Sequence, residues 1–146
     1  MKKIAVVCGG YSGESEVSMR SAKMVMENID RLKFDPTQIV IEEKRWFAMV
    51  NDTEIAVDRN DFSVLVNGVK VTFDAVFMIV HGTPGENGLL QGYFDTIGMK
   101  YTTGDVLNMA LTFNKKATTR TLGAMGYRVA RSIVVRKEES ITAEEV

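Results

Sequence analysis

Two short polar segments carry the side chains that could do chemistry. The first, Gly9-Gly10-Tyr11-Ser12-Gly13-Glu14-Ser15, follows the apolar run Ile4-Ala5-Val6-Val7-Cys8. The second, His81-Gly82-Thr83-Pro84-Gly85-Glu86-Asn87-Gly88, follows Ala75-Val76-Phe77-Met78-Ile79-Val80. Glu14 and Ser15 stand where a helix is expected to begin. Free backbone N–H groups and the positive end of the helix dipole favour an anion there, while a carboxylate beside them can hold an ammonium group. A zwitterionic amino acid suits that combination. On spacing alone Glu14 is equally a solvated acid that favours the dipole, and Gly9 and Gly10 equally serve a tight turn. The segment is neither a G-x-G-x-x-G dinucleotide turn nor a G-x-x-x-x-G-K-[ST] phosphate loop. His81, the sole histidine, stands at the mouth of a buried strand, with a structural hydrogen bond or a functional role both open to it. Glu86 and Asn87 read as caps of the next helix. Lys115 and Lys116 read either as a solvated helix surface or as point charges for a phosphate group.

These side chains need a scaffold, and the hydrophobic pattern predicts one. Ile4 to Cys8 is a continuous apolar run, as expected of a strand buried on both faces of a parallel sheet. From Ser15, Ala22, Val25, Met26 and Ile29 recur at helical spacing, and Gln38 to Ile41 supplies a second strand, completing a βαβ unit. Between Arg45 and Thr72 short β-prone pieces alternate with Asn51-Asp52, Arg59-Asn60-Asp61 and Asn67-Gly68, which predicts an excursion of antiparallel hairpins. Ala75 to Val80 is a second buried strand. A helix with Leu89, Leu90, Tyr93, Phe94 and Ile97 on its apolar face should end at Gly98. Asp105 is placed to cap a further helix that continues or kinks near Phe113 to Lys116 and closes at Gly126. Ser132 to Arg136 reads as one more strand, and Ser140 to Val146 as the start of a helix. The fold class is α/β, a doubly wound, mostly parallel sheet with a hairpin excursion. In such sheets ligands bind beyond the carboxyl ends of the strands, where both polar segments lie.

At 146 residues, 45% hydrophobic and 25% charged, the composition is that of a globular domain with one core. The net charge of −1 divides unevenly: residues 1–113 sum to −4 and residues 114–146 to +3, marking a boundary near residue 114. No concentrated basic stripe is present, which argues against a nucleic-acid or membrane partner. Cys8 is the only cysteine, so neither a disulfide within the chain nor a cysteine metal cluster can form. The apolar run after Lys2-Lys3 is too short for a signal peptide, and a cytoplasmic location is expected.

Taken together, Ile4 to Ser18 and His81-Gly82-Thr83-Pro84-Gly85-Glu86-Asn87-Gly88-Leu89-Leu90-Gln91-Gly92 closely resemble bacterial D-alanine:D-alanine ligases. The likeness extends through Tyr101-Thr102-Thr103-Gly104 and the helix from Ala110 to Lys115. Each motif is weak alone; two loops agreeing in order and spacing are specific. The resemblance implies a Rossmann-like N-terminal domain over residues 1–113, then the opening of an ATP-grasp domain over residues 114–146. It implies an enzyme that joins two D-alanines for peptidoglycan synthesis, with ATP and Mg²⁺ (or Mn²⁺) as cofactors and a homodimeric whole.

By the same resemblance, Glu14 corresponds to the carboxylate that anchors the first D-alanine's ammonium, with Ser15, Val17 and Ser18 at the substrate. His81 corresponds to the histidine near that substrate, and Lys115 to a lysine that reaches ATP phosphates. Asn114 stands where the family commonly has aspartate. The metal ligands, adenine pocket and lid of such enzymes come later in the chain, so these 146 residues alone are expected to be inactive. Two alternatives have the same start: a D-alanyl-D-lactate or D-alanyl-D-serine ligase, and a free-standing α/β ligand-binding module.

Overall fold

The computed structural model describes residues 1–138 and Thr142. Its elements run β1 (Lys2–Gly9), α1 (Ser15–Asn28), β2 (Phe34–Ile41), β3 (Trp46–Val50), β4 (Thr53–Asp58), β5 (Ser63–Val66), β6 (Val69–Val71), β7 (Ala75–Met78), α2 (Leu89–Thr96), α3 (Val106–Phe113) and α4 (Lys115–Ala124). One seven-stranded sheet has the order β6-β5-β4-β3-β2-β1-β7. β1 pairs in parallel with both β2 and β7, setting Val6 beside Gln38 on one side and Phe77 on the other. From β2 outward the strands are antiparallel. The centre β2-β1-β7 is parallel, but the sheet is not mostly parallel as expected, because the hairpin excursion joins the same sheet and supplies four antiparallel strands.

The unbroken apolar run of β1 is explained by the two cores it serves. Ala5, Val6, Val7 and Cys8 are all shut off from solvent. Alternation along the strand sends Ala5 and Val7 into a core with Ile39, Phe62, Leu90 and Phe94. Val6 and Cys8 enter another, with Ala22, Val40 and Phe47. α2 therefore covers one face and α1 the other, the doubly wound arrangement. Asp74 pins the start of β7 to that of β1, accepting from the Lys3 amide at 2.7 Å and Lys2 Nζ at 3.2 Å. The first of these bonds, assisted by the second, holds its carboxyl below the usual range.

The excursion turns where its sequence predicts. Asn51 and Asp52 (φ 49° and 59°) join β3 to β4, and Asn67 and Gly68 (φ 50° and 78°) join β5 to β6, so both two-residue hairpins carry left-handed backbone at both central positions. Phe62 is also left-handed, at φ 56°, although its side chain is fully buried. Its ring lies 4.9 Å from Phe94, 5.9 Å from Phe73, 6.1 Å from Tyr93 and 6.2 Å from Trp46. This aromatic contact holds an unfavourable backbone conformation and fastens the excursion to α2.

β2 begins at Phe34, earlier than the apolar run alone suggests, because its first half pairs only with β1 and a strand with one open side tolerates Pro36. Asp105 accepts from the Asn108 amide and caps α3 as expected. The helical region breaks at Asn114 (ψ 96°), whose side chain caps α4, and Gly126 is left-handed just beyond that helix. Ser132 to Arg136 is not a strand: it pairs with none among the described residues, and Ile133, Val134 and Val135 stay about half exposed. β propensity without a neighbouring strand does not make a ladder, and the Ser132 carbonyl accepts from Lys116 Nζ instead. The helix expected over Ser140 to Val146 lies outside the described residues apart from Thr142. No described helix is long and apolar enough to cross a membrane.

Replacing Phe62 with alanine should cost about 3–5 kcal/mol in urea denaturation, since cavity and lost transfer energy act together at a buried ring. A second measurement concerns Cys8, whose thiol burial pushes up from 9.0 to about 11, partly offset by a hydrogen bond from Gln38. The folded chain keeps a proton that the unfolded chain releases. Stability should therefore be full below about pH 9 and fall as pH approaches 11, a decline that Cys8→Ala lessens.

Candidate functional site

β1 and β7 run side by side, so the segments leaving their carboxyl ends meet. Backbone bonds seat the first segment: the Gly10 amide donates to the Ile41 carbonyl and the Tyr11 amide to the Thr83 carbonyl, both at 2.8 Å. Ser12 then bridges the segments, its Oγ donating to the His81 carbonyl at 3.0 Å and accepting from the Glu14 amide at 3.2 Å. The approach needs glycine at two places. Gly10 has φ +107°, and a Cβ there would lie 2.9 Å from Val80 Cγ1. Gly82 has φ +68°, and a Cβ would lie 2.7 Å from Ser12 Oγ and 3.3 Å from Glu14 Oε2. The Glu14 carboxylate therefore rests against the residue after His81.

Glu14 directly precedes α1 but makes no side-chain cap hydrogen bond, and the residue is exposed. Its carboxylate is not spent on its own helix. Ser15 opens α1, half-buried, with its amide 3.2 Å from the Ser12 carbonyl. Val17 is exposed. Ser18 faces inward and is fully buried; its Oγ accepts from the Gly9 amide at 2.9 Å and donates to the Ile79 carbonyl at 2.7 Å. That hydroxyl ties α1 to the ends of β1 and β7, so its observed part is to build the corner.

The second segment is closed on itself. Glu86 Oε2 accepts from the Gly82 amide at 2.9 Å while the Glu86 amide donates to the Gly82 carbonyl at 2.8 Å. The buried Gln91 amide group donates to the Gly85 carbonyl at 2.7 Å and to Thr103 Oγ1 at 2.9 Å, fixing the segment from beneath. His81 is half-buried, held through its backbone carbonyl. Asn87 accepts from the Leu89 amide at 3.3 Å, but the N-cap position of α2 is Gly88 and the Glu86 carboxylate turns back to Gly82, so neither residue is the N-cap expected of it.

A cleft of about 390 Å³ lies beside this corner, lined by Glu14, Glu86, Met109, Thr112, Phe113 and Lys115. Residues 14 and 115, a hundred positions apart, thus share one cavity. It has two carboxylates and one ammonium on its walls, and it can meet both charges of a zwitterion or an anion bound beside one. His81 is not among the lining residues of this cleft. Asn114 Oδ1 accepts from the Ala117 amide at 3.0 Å, so the capping geometry an aspartate would provide is kept and only the charge is absent. Sequence reasoning missed two contributors: the bridge made by Ser12, and the place of Glu86 on the cleft wall. Neither has a periodic signal, since both arise from contacts across about 70 residues or within a glycine-rich loop. Among the described residues no group of three or more histidine, cysteine or acidic side chains could hold a metal ion.

Ser18→Ala would leave the Gly9 amide and the Ile79 carbonyl unpaired away from water. A loss of about 1–3 kcal/mol in chemical denaturation is expected, as for other stranded buried polar groups.

The D-alanine–D-alanine ligase of Flavobacterium johnsoniae is 43% identical over all of this chain and 46% of its own length. That of Phocaeicola vulgatus is 44% identical over 99% of this chain and 45% of its own length. The chain thus spans about half the length of the curated relatives it matches. Among solved structures, D-alanine-D-alanine ligase from Aeromonas hydrophila superposes with a TM-score of 0.83 at 26% identity, over 99% of this chain and 54% of that one. The VanG D-Ala:D-Ser ligase of Enterococcus faecalis gives 0.77 at 32% identity, over 89% and 43%. The protein-family model described as the D-ala D-ala ligase N-terminus matches residues 3–104, most of the chain, and the chain belongs to that family.

Proposed function

We propose that this chain forms the first-substrate corner of an ATP-dependent D-alanine–D-alanine ligase. The observation that carries it is the cleft in which an unspent Glu14 carboxylate, beside the start of α1, shares a wall with Lys115. Glu14 holds the ammonium of the first D-alanine. The positive end of α1, where Ser15 and Val17 stand, favours its carboxylate. Ser18 keeps that helix start in place. His81 lies on the loop facing this substrate and serves the site at its carboxylate. Orientation and water exclusion are what the packed glycine loops contribute.

Lys115, the one cation lining this cleft, would meet an ATP phosphate oxygen as a point charge. As co-substrate, ATP activates the first D-alanine's carboxylate as an acyl phosphate, and the second D-alanine's amine displaces phosphate. No described residue is assigned to Mg²⁺. Residues 1–113 make the substrate domain, and residues 114–146 open the ATP-binding one. The whole enzyme works in the cytoplasm as a homodimer, supplying peptidoglycan synthesis. A D-alanyl-D-serine ligase would share the corner, as the VanG likeness indicates, but the curated relatives favour D-alanine as second substrate.

In the complete enzyme, Glu14→Gln keeps the side chain's size and removes its charge. The kcat/KM for the first D-alanine should fall about 10- to 100-fold, the range of a lost charged hydrogen bond. An unchanged rate at limiting D-alanine would remove Glu14 from this role.

A further inference from the structure

A second cleft, of about 380 Å³, opens between the excursion, α2 and the two polar loops. It shares no lining residue with the Glu14 cleft. Trp46 and Arg59 come from the excursion, Leu89 and Tyr93 from α2, Tyr11 and Pro84 from the loops. The walls are braced. Tyr93 Oη donates to the Arg59 carbonyl at 2.9 Å, and Trp46 stands edge-on to Tyr93 at 5.1 Å. A volume of this size is in the range that holds small molecules.

Arg59 is the one charged residue on these walls, with its guanidinium carbon 5.9 Å from the Trp46 ring centre. Of the neighbouring acids, Asp61 pairs with Lys70, while Asp58 accepts from the Asn60 amide and side chain and keeps its charge, and neither lines the cleft. The Trp46 indole N–H is shut off from solvent without an acceptor among the described residues. Large apolar surface is exposed beside it, with Leu89 60% and Tyr11 41% accessible. Aromatic and aliphatic walls with one cation complement a flat apolar body that carries an anion.

We propose that this cleft binds a small aromatic carboxylate, its ring against Trp46, Leu89 and Tyr93 and its carboxylate toward Arg59. A ligand seated there touches Tyr11 and Pro84, and so both loops of the substrate corner.

Trp46 is the only tryptophan, which makes its fluorescence a direct reporter. Titration of the chain with 3-phenylpropanoate should give a saturable change. Arg59→Ala should weaken it at least about tenfold, the equivalent of one lost charged contact, with Arg59→Lys in between. The neutral 3-phenylpropan-1-ol should bind the original chain and Arg59→Ala alike. Far-ultraviolet circular dichroism checks that the exposed Arg59 side chain is replaced without unfolding. No saturable change, or equal acid affinity in Arg59→Ala, would overturn the proposal. So would a Trp46 signal that shifts on dilution alone with a dimeric mass, since the occupant would then be a second copy of the chain.

Discussion

The burial of β1 on both faces, with a parallel partner on each edge, is the constraint on which this molecule depends. Ala5 and Val7 serve the core under α2, while Val6 and Cys8 serve the core under α1. No residue of that run can be moved without opening one core or the other. Parallel pairing to β7 then places Gly9 and Ile79 at the same edge of the sheet, where the Ile79 amide still donates to the Val7 carbonyl at 2.8 Å. The meeting of the two polar loops follows from strand direction. An antiparallel β7 would have sent His81 to the opposite edge.

Once the loops meet, their contact is made mostly by backbone groups and small side chains. Tyr11 to Thr83, Ser12 to His81 and Glu86 to Gly82 consume the local donors and acceptors. Left-handed glycines let the chains come within contact distance. Charged groups with no structural task are thereby left free. Glu14 does not cap its helix, and Lys115 follows a cap supplied by Asn114 instead. Polar satisfaction by the backbone is what makes those side chains available to a ligand.

The excursion makes a different use of the sheet. Its four antiparallel strands extend one edge, and Phe62, Trp46 and Phe73 return to the core to meet Tyr93 and Phe94 of α2. That packing gives the left-handed Phe62 backbone its compensation and creates a second concavity beside the first. α3, by contrast, buries none of its residues, and Leu107 is 74% exposed although the helix is strongly apolar.

Much of the local structure was legible in the residues. The continuous run of β1, the two-residue turns at 51–52 and 67–68, the cap at Asp105 and the break at Asn114 all follow from short-range chemistry that a sequence carries directly. The meeting of the Gly9 and His81 loops at one end of the sheet was legible too, because both follow strands read as part of a parallel sheet. Strand status for Ser132 to Arg136 was not, since a ladder needs a neighbour and propensity cannot provide one. Nor could spacing separate the inward Ser18 from the exposed Glu14, or join Glu14 to Lys115 across a hundred residues. The sequence by itself determined which segments become strands, helices and turns, because those depend on contacts within a few residues. Only the tertiary structure decided which polar groups are spent on the fold and which face a shared cavity, because that depends on distant segments sharing space.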